Sequence, residues 1–377
     1  MRPLLLSIAL CACTNVACTY YDVFLLEARV DADAGNDGFV PPNDSDGDAE
    51  RFDADDTGVD AKECHLVLPP EAPTDAIVEG NISFVVAVDK VDFGESGGWR
   101  GLGYDLDHVC DCSASVRSCA PAVCNPENEI DNAFGNMLAV MKLELGFYSI
   151  GSSIWSDTAK AGDWGFMIRV SDYNGQPDDS QVTVEWLLSH PFEVGSDGRI
   201  VPQWDGQDEW FVWDSNRFVD DAAFVTGGQL VAHLPRSPFV VVTDIYIDFI
   251  EFDLVGSTLT AKVEHSGAGW SLVDGIIAAG MDSDKLLAQV NHIPYVSNGR
   301  PMCEHDPETE EPFGLFKSFI CGYSDLLSSS GPTTGQCDSI SFGIGFAAKP
   351  AIIAGQKTPP VTSSPCTGQP STCIQHP

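Results

Sequence analysis

Short runs rich in β-branched and aromatic residues, several of them alternating apolar with polar, recur from residue 82 to near the end of the chain and predict β-strands. Such runs occupy Ile82–Val88, Gly165–Val170, Gln181–Leu188, Glu209–Trp213, Gln229–Leu234, Phe239–Thr243, Ile245–Leu254 and Ser257–Val263. Late in the chain Ile340, Phe342, Ile344 and Phe346 alternate with small residues, which suits a closing strand. Gly, Pro, Asn and Asp separate the runs as turn formers. Helical spacing is scarcer. Apolar residues at 130, 134, 137, 138, 141 and 145 predict a helix over 128–145 with Asn128 as its cap, and residues 282–290 predict another, capped by Asp282 or Ser283. A third is expected over 311–320. The pattern predicts a mainly β protein, an antiparallel β-sandwich of jelly-roll type with a few short flanking helices.

Two segments lie outside this pattern. Arg2 precedes a nine-residue run, Leu4–Ala12, that is apolar except for Ser7. It matches a signal-peptide core and is too short to span a bilayer, which takes about 20 apolar residues. The run ends Leu10-Cys11-Ala12-Cys13, an aliphatic residue and two small ones before a cysteine, as in a bacterial lipobox; residues 1–12 are therefore expected to be removed and Cys13 acylated. Cys18 has polar Asn15 three residues before it and fits less well, although ten cysteines follow it and leave it the odd one. More than one acyl chain on the cysteine would make the membrane anchor stable. Thr14 rather than Asp after Cys13 points to the outer membrane, on its periplasmic face or at the cell surface.

Residues 13–63 are expected to be the lipidated N-terminus and an acidic tether. Between Asp22 and Glu63 there are fourteen acidic residues against three basic ones, and aliphatic residues are sparse after Val30. Such a composition buries too little to offset ordering, and like charges extend it. Asp44-Ser45-Asp46-Gly47-Asp48 alternates carboxylates like an EF-hand loop. Ala49 and Asp55, however, stand where that loop needs Gly and Glu. The whole chain carries a net charge of −37, which excludes nucleic acid as a natural partner. Residues 64–355 form the predicted globular domain, and 356–377 a tail rich in Pro, Ser and Thr.

Of the 13 cysteines, Cys64, Cys110, Cys112, Cys119, Cys124, Cys303, Cys321, Cys337, Cys366 and Cys373 belong to the domain and its tail. The spacings within 110–124 are not those of zinc pairs, and in an exported chain disulfides are the better reading. Cys366 with Cys373 is the expected local pair, with two more bridges inside the 110–124 group.

The most distinctive stretch is Gly103-Tyr104-Asp105-Leu106-Asp107-His108-Val109-Cys110-Asp111-Cys112. Asp105, Asp107 and Asp111 offer hard oxygen donors, and Asn128, Glu129, Asp131 and Asn132 lie ready to complete a shell; calcium is the ion this set suits. The plain alternative is a polar loop whose aspartates cap turns. A second candidate is Trp204-Asp205-Gly206-Gln207-Asp208-Glu209-Trp210-Phe211-Val212-Trp213. Trp204, Asp205, Trp210 and Trp213 have the character of a carbohydrate site, in which rings stack and polar groups take hydroxyls. The competing reading places Trp210 or Trp213 in the core. Asp208 and Glu209 are neighbours on a strand and point to opposite faces, so they make a poor acid/base pair. Gly94-Glu95-Ser96-Gly97-Gly98 fits a nucleophile elbow in letters only, because no helix follows directly. Gly343-Ile344-Gly345-Phe346 reads as strand and not as a dinucleotide loop.

The lipobox, the aspartate tether and the Tyr104-Asp105-Leu106-Asp107-x-x-Cys110-x-Cys112 segment together resemble a family of surface lipoproteins of myxobacteria and related bacteria. Val273–Gly280, Asp284-Lys285-Leu286-Leu287, Ile320-Cys321 and the Phe342–Phe346 strand are similar to patterns in their globular halves. The resemblance implies a surface location and no particular activity. With no catalytic residues assigned, the expected function is a non-catalytic module that binds carbohydrate or another extracellular ligand, assisted by calcium. The alternative is a secreted carbohydrate-active hydrolase using carboxylates.

Overall fold

The computed structural model describes residues 66–74, 80–107, 130–145, 151–359, 364–367 and 371–373, apart from short gaps at 97, 215–216, 244–246, 296 and 328–336. All of them belong to one compact unit, residues 61–377. Cys13, Cys64, Cys110, Asp111, Cys112, Cys119, Cys124, Asn128 and Glu129 lie outside the described residues.

Twelve strands follow in chain order: β1 (Ile82–Asp92), β2 (Phe166–Tyr173), β3 (Asp179–Leu188), β4 (Glu209–Trp213), β5 (Phe218–Thr226), β6 (Gln229–Arg236), β7 (Phe239–Thr243), β8 (Ile247–Phe252), β9 (Leu254–Ser266), β10 (Gly269–Asp282), β11 (Ser339–Pro350) and β12 (Ile352–Lys357). Among the described residues four α-helices accompany them: α1 (Ala133–Leu145), α2 (Ser152–Ala161), α3 (Ser283–Val290) and α4 (Glu310–Gly322). The mainly β, antiparallel character is as expected. The closure is not that of a sandwich. Eight strands form a closed barrel in the order β1-β11-β10-β9-β6-β5-β3-β2, with β1 pairing antiparallel to both β2 and β11. Bulges in β1, β3, β9 and β10 add the coiling that closure requires. Alternation predicts which face is apolar but not whether the first and last strands meet, and here they do.

Alternate residues fill the interior. Ile340, Phe342, Ile344, Phe346 and Ala348 of β11 point into the main core, where Phe166 stacks on Trp186 at 4.3 Å and Phe239 on Phe252 at 4.8 Å. Phe134 of α1 and Trp155 of α2 join the same aromatic cluster. An eight-stranded barrel is just wide enough for its own side chains, and these occupy it. Ligands are therefore to be sought on the outer face.

A smaller core lies on that outer face. The parallel pair β4–β12 lays Trp210, Val212 and Ile353 against Ala87, Met167 and Leu187 of the barrel wall. Two disulfides, Cys303–Cys366 and Cys321–Cys373, fasten the tail to α4 and the turn before it. The expected Cys366–Cys373 bridge is thus replaced by two long-range ones. A tail cysteine pairs with whichever thiol the fold brings within about 6 Å of Cα separation, and the tail runs beside 303–321. Cys337 is also disulfide-bonded. The first helix begins five residues later than its apolar spacing suggests, and Asn132 caps it, its side-chain oxygen accepting the Gly135 N–H at 2.9 Å. Asp282 caps α3 through the Lys285 N–H, as expected. Among the described residues, no helix is long and apolar enough to cross a membrane.

Candidate metal centre

Residues 99–107 form a strap over the barrel's outer face. Interior positions of β11 alternate with Gly343 and Gly345, whose missing side chains let the strap lie directly on the strand. A Cβ at Gly343 would stand 2.0 Å from the Leu102 carbonyl oxygen, and one at Gly345 3.1 Å from Leu102 Cδ2. Further along, the Tyr104 hydroxyl lies 2.8 Å from Thr260 Oγ1 on β9, a residue flanked by interior Leu259 and Ala261. Gly103 has φ +144°, and a Cβ there would meet Ile130 Cγ2 at 2.8 Å. Glycine is needed here for both conformation and space.

Asn132 holds the assembly together. Its amide nitrogen donates to the carbonyls of Trp99 (3.2 Å), Leu102 (2.8 Å) and Gly343 (3.1 Å), while its oxygen accepts from Gly135 and from Gly343 (3.0 Å). The Ala133 N–H at the head of α1 donates to Ser341 Oγ at 2.7 Å. The sequence suggests Asn132 as a further metal donor. Its amide is instead fully engaged with the strap, β11 and α1.

With the strap so placed, Asp105, Asp107 and Asp131 converge, each offering a carboxylate oxygen within 4.8 Å of the others. Asp105 is 4% and Asp131 5% exposed. The backbone completes the frame: Asp105 N–H donates to Val67 C=O, Asp131 N–H to Tyr104 C=O, and Leu106 N–H to the Asp131 carboxylate at 2.6 Å. Two unit negative charges this close repel by about 3 kcal/mol at an effective dielectric near 20. Three hard oxygen donors brought together in this way suit a divalent cation, and calcium accepts irregular oxygen geometry more readily than magnesium does. Three of the four metal candidates thus stand together; the fourth, Asp111, lies outside the described residues.

A groove of about 320 Å³ runs beside the strap, lined by Lys90, Asp92, Leu102, Asp274, Ile276 and Phe346 among others. Bulges in β1 and in β10 flank it, at Val88/Lys90 and Leu272/Gly275, on either side of Ala347. Asp274 has φ +48°, and a Cβ on the following Gly275 would lie 2.3 Å from the Phe346 ring. Lys262 pairs with Asp274 at 2.8 Å and holds its carboxyl below the ordinary aspartate range. Sequence reading passed over this groove, because the bulges that make it are tertiary events.

The tryptophan segment does not assemble into one site. Trp210 is 1% exposed, under Phe192 and Trp204, with ring centroids at 5.1 and 5.7 Å. It takes the core position weighed as its alternative and has no ring face to offer a ligand. Trp213, on the opposite face of β4, packs against His190 at 4.4 Å. Trp204 is half-buried, and its indole N–H donates to the Lys160 carbonyl. Asp205 pairs with Arg199 at 2.8 Å, a hydrogen bond that lowers its pKa. Asp208 is buried and accepts the backbone N–H groups of Gln203 and Trp204 together with Arg199, which makes it the organiser of the loop. Glu209 instead accepts from Ser196. Glu95 and Ser96 form a turn, and a single 3-10 turn follows over Gly98–Gly101.

Comparison with protein-family models, with curated proteins and with solved structures found no match to this chain.

Proposed function

We propose that the protein is a non-catalytic ligand-binding module, exported and tethered to the outer membrane through lipid on Cys13. In this reading a calcium ion held by Asp105, Asp107 and Asp131 stiffens the strap beside the groove. The observation that carries it is the convergence of Asp131 with Asp105 and Asp107 of the strap, whose own Leu102 borders the groove. Ion and ligand would then be coupled, because fixing the strap fixes one wall. The groove's carboxylates accept hydroxyl hydrogens and Lys90 donates, beside the apolar Leu102 and Ile276, a combination suited to carbohydrate or another hydroxyl-rich extracellular ligand. The lipobox, the acidic tether and the likeness to myxobacterial surface lipoproteins support the location.

The first test is calorimetry and thermal unfolding with calcium and with EGTA. Saturating calcium should raise the midpoint by roughly 5 °C, since free ion at 100 times Kd stabilises by about 2.7 kcal/mol. Asp105→Asn with Asp107→Asn should abolish that response, and a wild-type protein indifferent to both reagents would remove the metal. A glycan array with and without calcium then tests the groove, with Lys90→Ala and Asp274→Asn expected to weaken a captured glycan at least tenfold. Turnover of glycosides lost with one carboxylate substitution would instead establish a hydrolase.

A further inference from the structure

The two most exposed large hydrophobic side chains among the described residues are Ile200 (75%) and Val194 (67%). Both belong to the loop between β3 and β4. Gly195 N–H donates to the Arg199 carbonyl and Gly198 N–H to the Gly195 carbonyl, each at 2.9 Å, so this part of the loop is a tight hairpin with Ser196-Asp197-Gly198 at its tip. The Gly195–Arg199 pairing sets Val194 beside Ile200 and Phe192 beside Pro202. Val201, also exposed, follows directly.

The hairpin is braced at base and tip. Phe192 N–H donates to the carbonyl of Gly162, the C-cap of α2, and a Cβ on Gly162 would meet Phe192 Cβ at 2.4 Å and Pro202 Cγ at 3.0 Å. Arg199 joins Asp197, Asp205 and the buried Asp208, and Glu209 accepts the Ser196 N–H. Glu193 on the stem pairs with Lys357. These contacts fix the shape of the loop and offset much of its charge, in a chain whose net charge is −37. Adjacent apolar side chains held out by a braced loop mark a contact surface.

We infer that this hairpin docks on the lipid bilayer, with Val194, Ile200 and Val201 entering the boundary between head groups and acyl chains. The occupant follows from where the chain outside the structure ends. On the anchoring proposed above, about 50 residues separate the lipid on Cys13 from Leu66, and a coil of that length spans roughly 40 Å. The bilayer is then the apolar phase always within reach. Burial of these few aliphatic side chains gives roughly millimolar affinity. That is negligible for a free protein, but it matches the roughly millimolar effective concentration that a tether supplies. Anionic lipid repels the acidic remainder of the chain, so the hairpin suits a zwitterionic surface. The contact rests on the anchor for its occupancy and not for its chemistry, and the two are tested apart.

For the chemistry, the full chain carrying Cys13→Ser is titrated with phosphatidylcholine vesicles and floated. Half of it should float at roughly millimolar lipid, and Val194→Asp with Ile200→Asp should raise that concentration about tenfold or more. Both side chains are exposed, and an unchanged thermal midpoint verifies that the variant folds. For the occupancy, the acylated chain in the same vesicles carries a fluorophore on Ser196→Cys. Quenchers in the lipid phase should dim it, and the two aspartates should restore its emission while the chain stays vesicle-bound. A wild-type chain that floats no better than Cys13→Ser refutes the anchor, and the titration then decides the hairpin alone. Failure of the Cys13→Ser chain to float at any lipid concentration tested overturns the proposal. Self-association abolished by the same aspartates, without vesicle binding, overturns it in favour of a second copy of the chain.

Discussion

A single side chain, Asn132, decides where the candidate metal centre stands. Its amide joins the strap, β11 and the head of α1 while 2% exposed. Replacing it by alanine strands several buried backbone groups at once, each worth about 1–3 kcal/mol when left unsatisfied. Asn132→Ala should therefore cost about 3 kcal/mol or more in denaturant unfolding and should also abolish any calcium response, since the strap loses its anchor. Gly343→Ala separates the two effects. A Cβ 2.0 Å from the Leu102 carbonyl must push the strap away, so the calcium response should fall further than the barrel's stability does. Both residues were visible in the sequence, but one looked like a metal donor and the other like an ordinary strand glycine. Hydrogen-bond partners more than 200 residues away gave them their actual roles.

Helices and disulfides make the predictions at the next scale. Glu95 caps the start of α2 from a distant turn: Ser152 donates to it through both its N–H, at 3.0 Å, and its hydroxyl, and Lys142 lies 3.3 Å away. Burial alone would raise its pKa. The Ser152 donors, with Lys142 behind them, outweigh that and hold the carboxyl below the ordinary glutamate value of 4.5. A carboxyl lowered in the folded state stabilises at pH above its unfolded value, and that contribution is lost as pH falls through the folded one. Glu95→Gln should thus lower the thermal midpoint at pH 7 and leave it less steeply dependent on pH below about 4.5 than the wild type. The two mapped disulfides span 63 and 52 residues. Loops of that length give about 4 kcal/mol each on the chain-entropy account. Cys366→Ser with Cys303→Ser should cost about 2–5 kcal/mol, and peptide mapping of the oxidised chain should recover 303–366 and 321–373 but no 366–373 peptide. Six intervening residues made the local bridge attractive on paper; docking of the tail along α4 made the long ones.

Over the whole molecule, the consequence of closure is that β1 has no free edge. Its amides bond to β2 on one side and β11 on the other, whereas β12 is paired in its sheet to β4 alone. Native-state hydrogen exchange should accordingly find β1 and β11 amides as protected as those of β9 and β10, with β12 exchanging faster. Fast exchange along one side of β1 would return the molecule to an open, two-sheet arrangement. Most strands were legible from their β-rich runs, and β4 shows the alternation that one-sided burial imposes; the limits of β4 and β7 match the expected runs residue for residue. The strand β5 was not: Asp220 and Asp221 interrupt its alternation, and only pairing with β3 and β6 makes it a strand.

By itself the sequence determined the local and compositional properties: strand period, helix caps such as Asp282, an export signal and acidic tether to be expected at the front, and a cluster of aspartates worth testing. These depend on neighbours a few positions apart. Tertiary structure alone decided that the sheet closes, that Trp210 faces inward, which cysteines pair, and that Asp131 joins Asp105 and Asp107. Each of those is a meeting of segments distant along the chain, set by packing and hydrogen bonding that no local pattern encodes.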